Sequence, residues 1–406
     1  MKKSDSSPIG PLNASFERGP TRYFHGRRKI LRDFEEYLGR ATQANGGTTF
    51  MVQGAPGAGK TALVYECEQN ALRKGWGVAS IPPHALWDSG ALLHGLGGGR
   101  RIKIAGRSGK VGFDAVVKVE VGLDLAVNEQ NRTVLEILED GTKPLLLMLD
   151  EAQVLGKIEI PAPGRWHANS VLDKIHNGGL DRPVLLLAAG LGTTADAFKS
   201  LGVSRFDGSS FIELGALGKE PARAVIQDWL QKEGGAKGDP TEWIDAIAQE
   251  THGWPQHIQS YVRRAVNHLR ENAGTMTPKG LHTVLEDGRE LRSAYYEQRA
   301  REFDEEHRHS FAKLFVNVPE DGSITRSIVM SSLSQDHGPV EAANLFDKAL
   351  DNGILHRQAG RYVVPIPSMQ NWLVSNYGRE QIELPYSDRE ETKVRQRNFG
   401  HDLGGR

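Results

Sequence analysis

Apolar positions follow two alternating periods in the first half of this chain and a single helical one through most of the second. Residues 27–44 place Ile30, Leu31, Phe34, Tyr37 and Leu38 on one helical stripe. Thr48-Thr49-Phe50-Met51-Val52-Gln53 is then a short β-prone run, and Ala62-Leu63-Val64-Tyr65-Glu66-Cys67-Glu68 a stretch of helix formers. A second strand is expected near 76–81 and a helix near 85–96. Leu145-Leu146-Leu147-Met148-Leu149 and Val184-Leu185-Leu186-Leu187-Ala188-Ala189-Gly190 are unbroken apolar runs, as expected of neighbouring parallel strands covered on both faces. Strand and helix alternate, so the class is α/β with a parallel sheet.

From 219 onward the pattern is helical, with segments at 219–233, 241–251, 255–272 and 278–300 that predict a helical lid. Residues 303–378 read as three helices and then two strands joined by a turn at Ala359-Gly360. Pro365 and Pro367 end the second strand, and a closing helix begins at Met369. Three helices and a hairpin predict a C-terminal winged helix. The expected divisions are a loose N-terminus over 1–22, a core over 23–217, a lid over 218–302, the winged helix over 303–378 and a loose tail over 384–406.

One stretch interrupts the alternation. Residues 97–126 open with Gly97-Gly98-Gly99, then carry Arg100, Arg101, Lys103, Arg107 and Lys110 with no acid before Asp114. The alternating run from Val117 to Leu125 suggests an inserted β-hairpin with a basic edge. It is read either as a solvated loop or as a local nucleic-acid contact. The chain as a whole, 406 residues with net charge −1, has no global field drawing it to DNA or to membrane. Its composition, 38% hydrophobic and 25% charged, is that of an ordinary globular protein of two or three domains. A single cysteine, Cys67, rules out an internal disulfide and suits a reducing cytosol, and no apolar run is long enough to span a bilayer. The expected location is cytoplasmic.

The chemistry is concentrated between the first strand and its helix. Gly54-Ala55-Pro56-Gly57-Ala58-Gly59-Lys60-Thr61 fits the pattern G-x-x-x-x-G-K-[ST], followed by Ala62 in the helix. Glycines let consecutive N–H groups point inward at phosphate oxygens, and the helix adds the positive end of its dipole. Lys60 is expected to reach the β- and γ-phosphates of ATP, and the Thr61 hydroxyl to bind Mg2+. The apolar run at 145–149 ends in Asp150 and Glu151, where ligands of α/β sheets sit. Asp150 is expected to hold Mg2+ through water, and Glu151 to orient and deprotonate the attacking water.

These motifs, spread from residue 23 to 377, resemble those of the AAA+ ATPases, a P-loop NTPase family, and within them bacterial relatives of the STAND signal-transduction ATPases and the origin-recognition clade. Phe24-His25-Gly26-Arg27 resembles the F-x-G-R box near the adenine, and His252-Gly253-Trp254-Pro255 the G-x-P motif of the STAND lid. The resemblance therefore implies that Arg27 and Pro255 border the nucleotide. Ser204-Arg205-Phe206 resembles the segment whose arginine reaches the neighbouring subunit's γ-phosphate, which implies a homo-oligomer. Two features depart from the family. Gly190-Leu191-Gly192 stands where a strand-end polar sensor is usual, leaving Thr193 as a candidate, and the lid arginine is absent unless Arg263 or Arg264 supplies it.

The resemblance also implies that the basic insertion could face a central channel and track a phosphate backbone. The winged helix itself holds six Lys/Arg against nine Asp/Glu over 303–376, which argues against groove reading and for contact with protein. Three roles are compatible with these features: an oligomeric ATP-driven switch acting on DNA or a partner protein, a DNA-loading ATPase of replication, transposition or recombination, or a signalling or phage-defence module with a separate effector. A DEAD-like helicase is disfavoured because the helical C-terminal half offers no second RecA-like domain.

Overall fold

The computed structural model describes residues 21–43, 48–97, 132–157, 159–203, 210–316, 318, 323–358 and 360–378. Helix α1, Arg28–Gln43, buries the stripe Phe34, Tyr37, Leu38 and Ala41. After it come β1, Thr48–Gln53, α2, Lys60–Arg73, and β2, Gly77–Ile81. The helix expected near 85–96 is divided, because Pro83 opens a tight turn over Pro83–Leu86 before α3 begins at Ser89–Gly97. The hairpin expected over 97–126 falls, beyond the last residue of α3, outside the described residues. Helix α4, Val134–Glu139, starts at a reciprocal Thr133–Glu136 cap. Strand β3, Leu145–Leu149, is followed by α5, Ala162–Asn177, β4, Val184–Gly190, α6, Thr194–Ser200, and the three-residue β5, Phe211–Glu213.

The five strands pair in the order β2-β3-β4-β1-β5, every pair parallel. The loop after β1 therefore opens at the same sheet edge as the residues ending β3 and β4. Both faces are covered, which explains the unbroken apolar runs. Phe50, Val52, Leu146, Met148, Leu185 and Leu187 pack on the side of α1 and α2. Met51, Leu145, Leu147, Leu149, Leu186 and Ala188 pack on the side of α3, α5 and α6.

The lid comprises α7, Lys219–Asp228, a wider π turn over Trp229–Glu233, α8, Thr241–Thr251, α9, Pro255–Glu271, and α10, Pro278–Ala300. Its own apolar cluster centres on Trp229, Trp243, Tyr261 and Leu269. The winged helix follows: α11, Glu305–Val316, β6, Ser323–Ile324, α12, Arg326–His337, α13, Pro339–Asp351, β7, His356–Gln358, β8, Arg361–Val363, and α14, Pro367–Tyr377. Its strands form an antiparallel sheet in the order β6-β8-β7, which adds β6 to the expected hairpin. The winged helix shares one continuous apolar cluster with α1, α2 and β1, through Tyr295, Tyr296 and Phe303. No helix among the described residues is long and apolar enough to cross a membrane.

Candidate nucleotide site

The backbone leaves β1 through a loop that only glycine-rich sequence can form. Gly57 and Gly59 stand at φ 82° and 90°, in the left-handed region that costs other residues about 1 kcal/mol or more. Gly59 is the N-cap of α2 and offers no side-chain acceptor, so the first-turn N–H groups are directed out of the helix toward the loop. The Lys60 Nζ donates to the carbonyls of Gly54 at 2.7 Å and Ala55 at 3.2 Å. Burial pushes its ammonium down to about 8, against the pull of the Glu151 and Asp150 carboxylates, and the charge of Arg299 lowers it further. The Thr61 hydroxyl is on the exposed side of the same turn, next to Ala62.

At the end of β3, Asp150 and Glu151 are exposed. Glu151 takes φ 53° and donates its N–H to Asp150 Oδ1 at 2.9 Å, a tight reversal that fans the two carboxylates outward. Gln153, buried, holds the second of them: its Nε2 donates to Glu151 Oε2 at 2.6 Å, and its Oε1 accepts the Leu191 N–H at 3.0 Å. Gln53 at the end of β1 repeats only the second of these bonds, its Oε1 accepting the Ala195 N–H at 3.2 Å. Two glutamines thus fasten the strand ends around the loop. Gln53 ends β1 and Gln153 follows the last residue of β3 by four positions, a signal too weak to read alone.

Three other parts of the chain close on the loop. From the lid, Pro255 starts α9 beside Gly59, and the Gln256 N–H donates to Gly57 O at 3.2 Å. From α10, the Tyr295 hydroxyl donates to Pro56 O at 2.9 Å. From the winged helix, Gly353 at φ 70° lies so close that a Cβ on it would stand 2.7 Å from Pro56 Cδ. His356 is buried with its Nδ1 unpaired, and burial together with the Lys60 charge pushes it down to about 4. Asp351 pairs with Lys157 and accepts the Thr193 hydroxyl at 2.6 Å, so the candidate sensor Thr193 is engaged by the winged helix.

Arg27 lies at the hinge between core and lid, at φ 59°, its guanidinium donating to Gly215 O and pushed down to about 10 by burial. Beside it, the Leu217 N–H donates to Gly253 O at 2.9 Å. Arg263 is buried in the lid and Arg264 stands 3.8 Å from Asp287. Arg100, Arg101, Lys103, Arg107, Lys110 and Arg205 lie outside the described residues.

The donors present suit a magnesium nucleotide. Mg2+ keeps several waters and takes one or two protein oxygens, which the exposed Thr61 hydroxyl and Asp150 carboxylate can supply. A fully protein-ligated metal is not expected here, and no group of three or more metal-ligating His, Cys, Asp or Glu side chains occurs among the described residues.

No protein-family model and no curated protein matches this chain. Among solved structures, the Walker-type ATPase of Pyrococcus abyssi is similar at 13% identity and a TM-score of 0.53, over 89% of this chain and 99% of that one. The ADP form of the ORC2 protein of Aeropyrum pernix gives 13% and 0.49 over 90% and 97%. The RuvB Holliday junction branch migration motor of Thermotoga maritima gives 15% and 0.44 over 84% and 92%. At such identities a likeness is one of fold, and the chain shares the fold of the Walker-type ATPase: a P-loop parallel sheet with a helical lid and a C-terminal winged helix.

Proposed function

We propose that this chain binds ATP with Mg2+ at the loop between β1 and α2 and hydrolyses it as an AAA+-type ATPase. The observation that carries this reading is the meeting, at one sheet edge, of the left-handed Gly57–Gly59 loop, Lys60 and the Asp150–Glu151 pair. The loop amides and the α2 N-terminus bind the phosphate tail, and Lys60 turns from the Gly54 and Ala55 carbonyls to its outer oxygens. Thr61 and Asp150 would hold magnesium, which would supply charge neutralisation to the phosphate tail. Glu151, fixed by the Gln153 amide, accepts the proton of the attacking water. Pro255 and Arg27 border the site from lid and hinge.

Calorimetry on wild type, Lys60→Ala and Glu151→Gln tests this. Lys60→Ala should lose ATP binding, and Glu151→Gln should keep it while turnover falls about 10²-fold or more. Wild-type protein that binds neither ATP nor GTP would end the reading.

A DNA-loading role, as in replication, transposition or recombination ATPases, is favoured by the run Arg100, Arg101, Lys103, Arg107 and Lys110. Copies would assemble with Arg205 of one reaching the γ-phosphate held by the next. Binding to DNA should then weaken steeply with salt, and replacing Arg100, Arg101 and Lys103 by alanine should flatten the slope by about 2–3. An unchanged slope counts against this role, and co-purification of a partner protein without DNA binding would favour the signalling role.

A further inference from the structure

Residues 21–25 precede the core in sequence yet bond chiefly to the lid. The Gln259 amide of α9 donates to the Thr21 hydroxyl at 3.1 Å. Arg22 donates to Glu233 Oε1, and the Tyr23 hydroxyl donates to the same oxygen at 2.9 Å. His25 Nε2 donates to Asp228 Oδ2 at 2.7 Å. The Tyr23 ring stands edge-on to Trp229 with centroids 5.6 Å apart, and Lys232 Nζ lies 5.0 Å from the Tyr23 centroid. Asp228 and Glu233 bracket the π turn after α7, and both are largely buried. The lid's own cations hold them from behind, Lys232 at 2.7 Å from Asp228 and Arg270 at 3.2 Å from Glu233. Toward the core the same segment is held by less. Tyr23 packs into the lid cluster, whereas Phe24, like Leu31 of α1, packs against the core cluster. Beside Phe24 a cleft of about 350 Å3 separates the segment from Arg28 and Leu31 of α1 and Glu66 of α2.

The chain crosses between lid and core twice, and the crossings lie side by side. One is at Gly26 and Arg27, consecutive left-handed residues at φ 76° and 59°, a conformation that costs Arg27 about 1 kcal/mol or more. The other runs from Leu214, whose N–H donates to Gln53 O of β1 at 2.7 Å, to Leu217, whose N–H donates to Gly253 O of the lid. The Arg27 guanidinium joins the two by donating to Gly215 O, and a Cβ on Gly26 would stand 2.9 Å from Pro221 Cβ. We propose that residues 21–25 are a strap clasped to the lid by Asp228 and Glu233, that strap and lid move as one body, and that the two crossings form a single two-ply hinge. A glycine beside a strained residue is the kind of short stretch that absorbs a change in φ and ψ. Opening parts the side with fewer bonds, so it releases Phe24 and widens the cleft while the clasp stays closed. With the clasp broken, only the crossing from Leu214 to Leu217 bears on the lid, which then opens more readily.

The test uses the full chain, with release of a fluorescent ATP analogue and trypsin cleavage after Arg22 as readouts. Asp228→Asn with Glu233→Gln should speed release about threefold to tenfold, and cleavage by at least about tenfold. Thr21→Cys and Gln259→Cys, joined by a short bismaleimide, tie strap to lid and should return both rates toward wild type in that background. Thr21→Cys and Glu66→Cys, joined the same way in the otherwise unchanged chain, tie strap to core across the cleft and should slow release about tenfold or more. Cys67 is buried and stays out of either link. Should the double carboxylate variant fail to fold, Tyr23→Phe with His25→Ala opens the clasp from the strap side and carries the same expectation. Wild-type release from the clasp variant, or from the chain tied strap to core, overturns the strap. The kinetic arm rests on the nucleotide reading and the protease arm does not: wild type that binds no nucleotide ends that reading alone, and cleavage after Arg22 at the wild-type rate in the clasp variant then ends the strap.

Discussion

Lys60 is held away from its ordinary ionisation, and the direction sets a pH limit on function. Its folded value of about 8 lies below the ordinary 10.5, so the ammonium is present below about 8 and is lost as pH rises through it. Anionic nucleotide recruits the charged form. Affinity for ATP should therefore hold between pH 6.5 and 7.5 and fall by up to about tenfold for each unit above 8, which titrations at pH 7 and pH 9 would check. A flat profile across that range would show that Lys60 keeps its charge throughout. Glu151 illustrates a second residue-scale device. Its left-handed backbone costs energy, offset by the bond from its N–H to Asp150, while the Gln153 amide holds its carboxylate.

At the scale of elements, α13 shows how a helix in the DNA-reading position of a winged helix can be committed elsewhere. Asp351 at its end is buried against the core, bonded to Lys157 and Thr193. Asp351→Ala leaves both without their partner and should destabilise the chain by about 1–2 kcal/mol, read as a lower urea midpoint. An unchanged midpoint would mean that α13 docks by its apolar contacts alone. The acidity of the segment was legible in the sequence, but its cause was not, because Lys157 lies 194 residues away. Elements with long unbroken or strictly periodic apolar runs, such as β3, β4, α9 and α10, were legible for the opposite reason: their burial is dictated locally. Helix α5 escaped the pattern because Pro163 and Gly164 sit in its first turn, and β5 because three half-buried residues carry no period. Of the site, the loop and the two carboxylates could be read from spacing. Gln153, Tyr295 and Gly353 could not, since each acts through a contact made only after folding.

Across the whole molecule, the phosphate loop is central rather than peripheral. The first strand, its flanking helices, α10 and the winged helix share one apolar cluster, while the outer lid helices keep their own. The winged helix therefore packs beneath β1, and α9 reaches the loop after β1 through Pro255 and Gln256. Pro56 is boxed in by Tyr295, 239 residues later in the chain, and by Gly353 beyond it. Under the proposed function, entry and departure of a nucleotide would be governed by residues far from the loop in sequence. A genetic screen for slow or hasty exchange would recover changes scattered through the C-terminal third, with the glycine loop itself untouched.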